Sequence, residues 1–424
     1  MTPASQTTTR PPARDELDTA ARRVLATLGT EMVSAGLTVT DVELELRRLA
    51  ARLGHRQLQV CATPTDITLS LAPGEPATIQ RMAGPLRLDQ SLVVREVRHS
   101  LLDGSITVPE GLERIRRVRS LPLRYGRRGI YLCNMMVAAG ICLIMQPGGV
   151  NVALAALCSL LVSFLIRASA RHALLSALLP SVAACCVSLA VLGAWNAGVL
   201  DGPLRTLICP IAVLLPGALL STGIAELATG SMISGTSRFL YGIVQLLLFA
   251  LGVVAAAMVL QVPTSALTNT RVDELSPLAP AVGLALIAVG IMLSEGVPLR
   301  LFGWTAAVLV CTFAAQRWGQ AHTDSLPLGA FGGATVASFL STGIEATRRN
   351  VPRLVMFLPS FWLLVPGTLG LMGITTVGAG TGTAEAVIGV LTLVTSIALG
   401  LLVGSALALP LNRITRRLQH VVRR

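Results

Sequence analysis

The chain has 424 residues, 53% of them hydrophobic and 13% charged, with a mean hydropathy of +0.69. That balance excludes an ordinary soluble globular protein and points to a polytopic membrane protein. The net charge of +12 comes from 34 basic residues that are all arginine, so P-loop phosphate binding and Schiff-base catalysis, which both need lysine, are excluded.

Residues 1–13 are Thr- and Pro-rich, read as disordered and lack the apolar core of a signal peptide, so the following domain is expected in the cytoplasm. Glu16 to Ala35 has a helical alternation with Leu17, Val24, Leu25, Leu28 and Met32 on one side, stopped by Gly36. Val39 to Leu53 predicts a second helix, capped by Thr38 or Thr40 and striped by Val42, Leu46, Leu49 and Leu53. Three short strand patterns follow, Leu58 to Ala62, Ile67 to Leu71 and Ala77 to Met82, separated by Pro64, Pro73 and Pro76. Further helices are expected over Ser91 to Leu102 and over Val108 to Val118, the latter capped near Thr107. Residues 14–128 thus predict a small soluble α+β domain, large enough to fold alone.

From residue 129 the chain reads as apolar runs with short polar breaks. About ten transmembrane helices of roughly 17 to 25 residues fit, as a hydrocarbon layer about 30 Å thick requires. If the N-terminal domain is cytoplasmic, the breaks on its side hold Arg167, Arg171, Arg238, Arg300, Arg348, Arg349 and Arg353, whereas the opposite breaks hold Arg205, Arg271 and Arg317. The positive-inside rule therefore agrees with ten spans and both termini in the cytoplasm. Ten divide into five-helix halves, 129–262 and 279–410, followed by a basic tail at 411–424. An odd-numbered repeat inserts its copies in opposite orientations, so the expectation is a 5+5 inverted repeat.

Pro-Gly pairs interrupt the apolar runs twice, at Pro216-Gly217 in the fourth span and Pro366-Gly367 in the ninth. Pro removes a backbone donor and Gly weakens helix, so each pair frees polar backbone that needs protein, water or solute as partner. Interruptions at matching places of two halves are the best sequence pointer to a transporter's binding site, because exposed half-helix ends can hold a polar solute. Ser221, Thr222 and Thr368 would add hydroxyl contacts; the competing reading has these hydroxyls bonding back to their own helical turn. Ion coupling needs an acid in a desolvated place, since burial makes its charge responsive to access. Glu226, past the first break, is the leading candidate. Glu345 is the second, because Ser341-Thr342-Gly343-Ile344 before it repeats Ser221-Thr222-Gly223-Ile224. The alternative makes both acids interfacial, beside Arg238 and Arg348.

Eight cysteines, mostly within apolar stretches, and five histidines show no metal-ligand spacing, so neither a metal nor another cofactor is expected. No basic-aromatic module is visible, and juxtamembrane arginine suits a lipid bilayer better than nucleic acid.

The sequence resembles the threonine/serine exporter family in its single-chain form, which fuses an N-terminal and a C-terminal part. The soluble domain contributes Ser34-Ala35-Gly36-Leu37-Thr38, Asp41-Val42-Glu43, Arg48-Leu49-Ala50 and Thr63-Pro64-Thr65-Asp66-Ile67. The membrane part contributes Pro216-Gly217, Ile224-Ala225-Glu226-Leu227, Gly230, Ser234-Gly235, Arg238, Pro359 and Val365-Pro366-Gly367. The resemblance implies a cell-membrane exporter, not an enzyme, that carries threonine, serine and related small amino acids against exchange of protons; a homo-oligomer is compatible with it. Two alternatives stay open: export of another small polar metabolite on the same scaffold, and a membrane-tethered hydrolase using Thr63, Thr65 and Asp66 with His55 or His99.

Overall fold

Thr38 opens the second helix of the N-terminal part: its hydroxyl accepts from Asp41 N at 3.3 Å, so Thr38 and not Thr40 is the cap. The computed structural model describes residues 14–263, 270–323, 325–348, 351–364 and 384–422. The chain divides into two units, 1–121 and 122–424. The first unit therefore closes seven residues before the expected end at 128.

The first unit contains α1 (Arg14–Ser34), α2 (Val39–Arg52), β1 (Gln59–Ala62), β2 (Asp66–Ser70), β3 (Thr78–Arg81), α3 (Leu88–Asp103) and α4 (Val108–Arg117). The strands form one antiparallel sheet in the order β1-β2-β3, with Cys61 opposite Thr68 and Thr68 opposite Ile79. The turn from β1 to β2 is the Thr-Pro-Thr-Asp sequence, in which Thr63 Oγ1 accepts from Thr65 N at 3.2 Å and from Asp66 N at 3.0 Å. Helix α1 packs against α2, α3, α4, β2 and β3. Its Leu25, Leu28 and Met32 meet Leu46, Leu49, Ile67 and Ile115 in one apolar core. Arg119 ties the end of this unit back to α1 through Glu31 at 2.8 Å and Ser34 at 3.1 Å.

The second unit contains α5 (Gly126–Met145), α6 (Gly149–Ser169), α7 (Ala173–Asn196), α8 (Pro203–Ile211), α9 (Gly217–Ala228), α10 (Met232–Val259), α11 (Ala279–Ser294), α12 (Phe302–Thr323), α13 (Leu326–Thr347), α14 (Arg353–Leu364) and α15 (Ala384–Val422). Among the described residues, six helical segments are long and apolar enough to cross a membrane, or seven if the bent pair α8–α9 counts as one span. Ten spans, as expected from hydropathy, are not shown by these helices, and residues 365–383 of the expected ninth span lie outside the described residues. Helices α11 and α14 are apolar but short, at 16 and 12 residues. Helix α13 has 22 residues but is rich in Gly, Ala, Ser and Thr, which lowers its apolarity.

Neighbour relations recur between two sets of helices. In the first set α5 packs on α6 and α8, α6 on α7 and α8, and α7 on α8 and α10. In the second set α11 packs on α12 and α14, α12 on α13 and α14, and α13 on α14 and α15. The sets meet where α5 packs on α11. Within each set one close contact carries a similar bond: Ser181 Oγ donates to Leu248 O between α7 and α10, and Ser338 Oγ to Leu401 O between α13 and α15, both at 2.8 Å.

At one end of this unit, three connections are joined through buried amides. Gln146, fully buried, donates from Nε2 to the carbonyls of Asp201 and Gly202 at 3.4 and 3.3 Å and accepts from Val272 N at 3.2 Å. Asn151 donates to Asp201 O at 2.8 Å and to Thr206 Oγ1 at 2.7 Å.

Candidate functional site

Helix α8 runs out in a 3-10 turn at Ala212–Leu214, and α9 starts at Gly217 after a 67° bend. The bend follows from the sequence: Leu215 is extended, Pro216 stands at the N-cap, and the first N–H groups of α9 have no intrahelical acceptor by position. The break expected at Pro216-Gly217 is therefore present, and both residues are buried.

One turn into α9, Ser221 is fully buried and its Oγ has no hydrogen-bond partner among the described residues. Back-bonding, the competing reading for this hydroxyl, is not made here, whereas Thr229 at the end of the same helix does bond back to Ala225 O at 3.0 Å. Thr222 is half-buried. On α13 the repeated motif behaves alike: Ser341 Oγ and Thr342 Oγ1 are buried without a hydrogen-bond partner among the described residues. Pro366, Gly367 and Thr368, the second break, lie outside the described residues.

Helices α9 and α10 form a tight hairpin around Gly230, whose φ of +89° is the left-handed turn that suits glycine. They cross at Gly223 and Gly235. A Cβ on Gly223 would come within 2.9 Å of Gly235 O, and one on Gly235 within 2.7 Å of Gly223 O. This approach brings Glu226 against the first two turns of α10. Glu226 is 1% exposed; its Oε2 accepts from Ser234 Oγ at 2.6 Å and lies 3.1 Å from Arg238 Nε. The pairing with Arg238 named in the alternative reading is present, and it lies in a buried setting. Ser234 went unrecognised as a partner. Its signal was a four-residue spacing, Glu226, Gly230, Ser234 and Arg238, which places Ser234 and Arg238 on one face of α10 and the acid across the turn.

Glu345 is half-buried near the end of α13, and Arg348 is exposed. Helix α9 packs on α10 and α15, and α13 packs on α12, α14 and α15. In the first unit, the hydroxyls of Thr63 and Thr65 are engaged in their turn with Asp66, and His55 pairs with Asp18 at 3.6 Å.

What this arrangement offers chemically is a broken apolar helix with a buried hydroxyl beyond the break that has no hydrogen-bond partner among the described residues, followed by a buried carboxylate whose partners include the Ser234 hydroxyl and the Arg238 guanidinium. Buried ionisable groups in apolar helices are costly and mark ion or substrate paths by default. No curated protein and no solved structure gives a significant match to the chain. The family model for the threonine/serine exporter, ThrE, matches residues 23–260, which runs from α1 through α10 and takes in Pro216, Ser221, Glu226, Ser234 and Arg238. That match covers more than half of the sequence, and the chain belongs to the threonine/serine exporter family.

Proposed function

We propose that this protein exports threonine and serine across the cell membrane in exchange for protons, by alternating access, with both termini in the cytoplasm. The observation that carries the reading is the buried Glu226 on α9, beyond the bend of the α8–α9 pair and inside the stretch matched by the exporter family. Free backbone groups at the bend and the unused Ser221 hydroxyl suit a small polar solute. Glu226 is the group that exchanges the proton, with Glu345 as the second candidate. Pro216, Gly217, Ser221 and Thr222, together with Pro366, Gly367 and Thr368, form the substrate site.

The moving parts are two five-helix halves of an inverted repeat. Supporting this, the same neighbour relations recur in α5 to α8 with α10 and in α11 to α15. The asymmetry of arginine between alternate breaks supports the orientation. The protein acts without a bound cofactor, and the first unit senses or gates and does not hydrolyse.

The test is uptake of labelled L-threonine and L-serine into inside-out vesicles containing the purified protein, with and without an acidic interior. Saturable uptake stimulated by the gradient is expected. Absence of uptake of either amino acid by well-inserted protein would overturn the reading, and competition across a panel of small polar metabolites would then identify the solute.

A further inference from the structure

We infer that Glu226 and Arg238 together form an entry site for the charged ends of a zwitterionic amino acid, with the α-carboxylate on Arg238 and the α-ammonium on Glu226. This rests on the exporter reading and adds to it a charge-selective site distinct from the hydroxyls near the bend.

The starting point is what Arg238 leaves unused. Glu226 Oε2 already accepts from Ser234 at 2.6 Å. Arg238 approaches that same oxygen with Nε at 3.1 Å, yet Nε is not aligned for a hydrogen bond, and Nη2 is buried without a hydrogen-bond partner among the described residues. A guanidinium presents five donors in a rigid fork that matches a carboxylate two-on-two, and a buried donor left unpaired carries a standing desolvation cost. Arg238 is thus held by charge and under-used as a fork, whereas Glu226 keeps Ser234 even if Arg238 turns away.

Separating a buried ion pair is unfavourable because each charge is left uncompensated. A zwitterion is the one small solute that removes the difficulty on both sides at once. Its carboxylate takes the fork of Arg238, its ammonium takes Glu226, and the net charge of the cluster is unchanged. A carboxylic acid anion would leave Glu226 beside a second negative charge, and an amine would leave Arg238 without a partner. The site therefore excludes organic acids and simple amines by charge before any hydroxyl is read. Its location suits entry: the pair lies on the α9–α10 hairpin, whose turn residues Leu227 to Gly230, with Met232 and Ile233, are exposed.

The experiment measures binding of L-threonine, L-threoninamide and N-acetyl-L-threonine to the full-length protein in lipid nanodiscs. The wild type is expected to prefer threonine over both analogues. Arg238→Gln is expected to weaken threonine binding by about 10- to 100-fold, the worth of a charged hydrogen bond or two, while threoninamide, which lacks the carboxylate, binds as before. Glu226→Gln is expected to shrink the preference over N-acetylthreonine instead. If Arg238→Gln fails to insert, Arg238→Lys keeps the cation without the fork and is expected to lose threonine affinity several-fold with threoninamide unaltered. Threonine affinity equal to wild type in either Arg238 variant, or an equal loss for threonine and threoninamide, overturns the inference. The two levels separate cleanly: a wild type that neither binds nor transports threonine or serine overturns the exporter reading and this site with it, whereas intact wild-type transport with unchanged analogue preferences in the variants overturns the site alone.

Discussion

Gly140 and Gly283 face each other where α5 crosses α11, and the relationship is reciprocal: a Cβ on either would stand 2.6 Å from the other's carbonyl oxygen. Small residues at a helix crossing let backbones approach and gain packing that lipid cannot supply. Because the obstructing atoms are backbone, a neighbouring side chain cannot yield to make room.

Gly140→Val and Gly283→Val are therefore each expected to destabilise the second unit by about 1–3 kcal/mol, the usual result of overpacking. Gly149, around which a Cβ would meet nothing within 4 Å, is the control, and Gly149→Ala is expected to leave stability unchanged apart from helix propensity. Thermal unfolding in detergent, followed by fluorescence-detected size exclusion, checks the comparison; equal behaviour of all three variants would contradict the crossing.

The Glu226 ion pair is expected to show strong non-additivity. Glu226→Ala leaves a buried guanidinium uncompensated and is expected to destabilise the protein by about 3–5 kcal/mol. The double variant Glu226→Ala with Arg238→Leu removes both charges and is expected to be more stable than Glu226→Ala alone. A double-mutant cycle on detergent unfolding tests this, with additive effects as the contrary result.

Glu226→Gln retains the size of the side chain and a carbonyl oxygen for Ser234. In the proposed exporter it is expected to abolish accumulation driven by a proton gradient, while exchange of labelled for unlabelled threonine persists with a higher KM. Accumulation that still follows the gradient would remove Glu226 from coupling.

The bend at Pro216-Gly217 is expected to be required for transport and not for insertion. Replacing both by Ala restores a backbone donor and helix propensity at the break, worth several kcal/mol in favour of a continuous helix. Transport of threonine is expected to fall at least tenfold in protein that reaches the membrane at wild-type level. Unchanged rate and affinity would show that the site lies elsewhere.

In the first unit, Leu46→Ala removes a fully buried side chain from the core shared by α1, α2 and β2 and is expected to cost about 2–5 kcal/mol. Urea unfolding of a fragment spanning residues 14–121 measures it; a smaller effect than that of the exposed Leu44→Ala would be incompatible with this core.

Local chemistry was well represented in the sequence. Gly36 and Gly54, both at positive φ, end α1 and α2 where expected, Thr107 caps α4 through Glu110 N at 3.4 Å, and the bend at Pro216 follows from one missing donor. Burial set by distant neighbours was not legible in the same way. Glu226 was recognisable beside Arg238, but its desolvation depends on how closely Gly223 and Gly235 let two helices approach, which no periodicity reports. The small residues Gly, Ala, Ser and Thr by which α13 packs on α12, α14 and α15 also weaken its apolar signal, so hydropathy alone reports this helix poorly. The partners of Gln146 lie between 55 and 126 residues away, far beyond any motif.

Those partners of Gln146 have a mechanical consequence. One fully buried amide joins the connections α5–α6, α7–α8 and α10–α11, so withdrawing either of the last two strands one end of Gln146, and withdrawing α5–α6 strands its partners on both. Each connection that parts from Gln146 therefore leaves a buried polar atom unsatisfied, which works as a latch against opening that end of the protein.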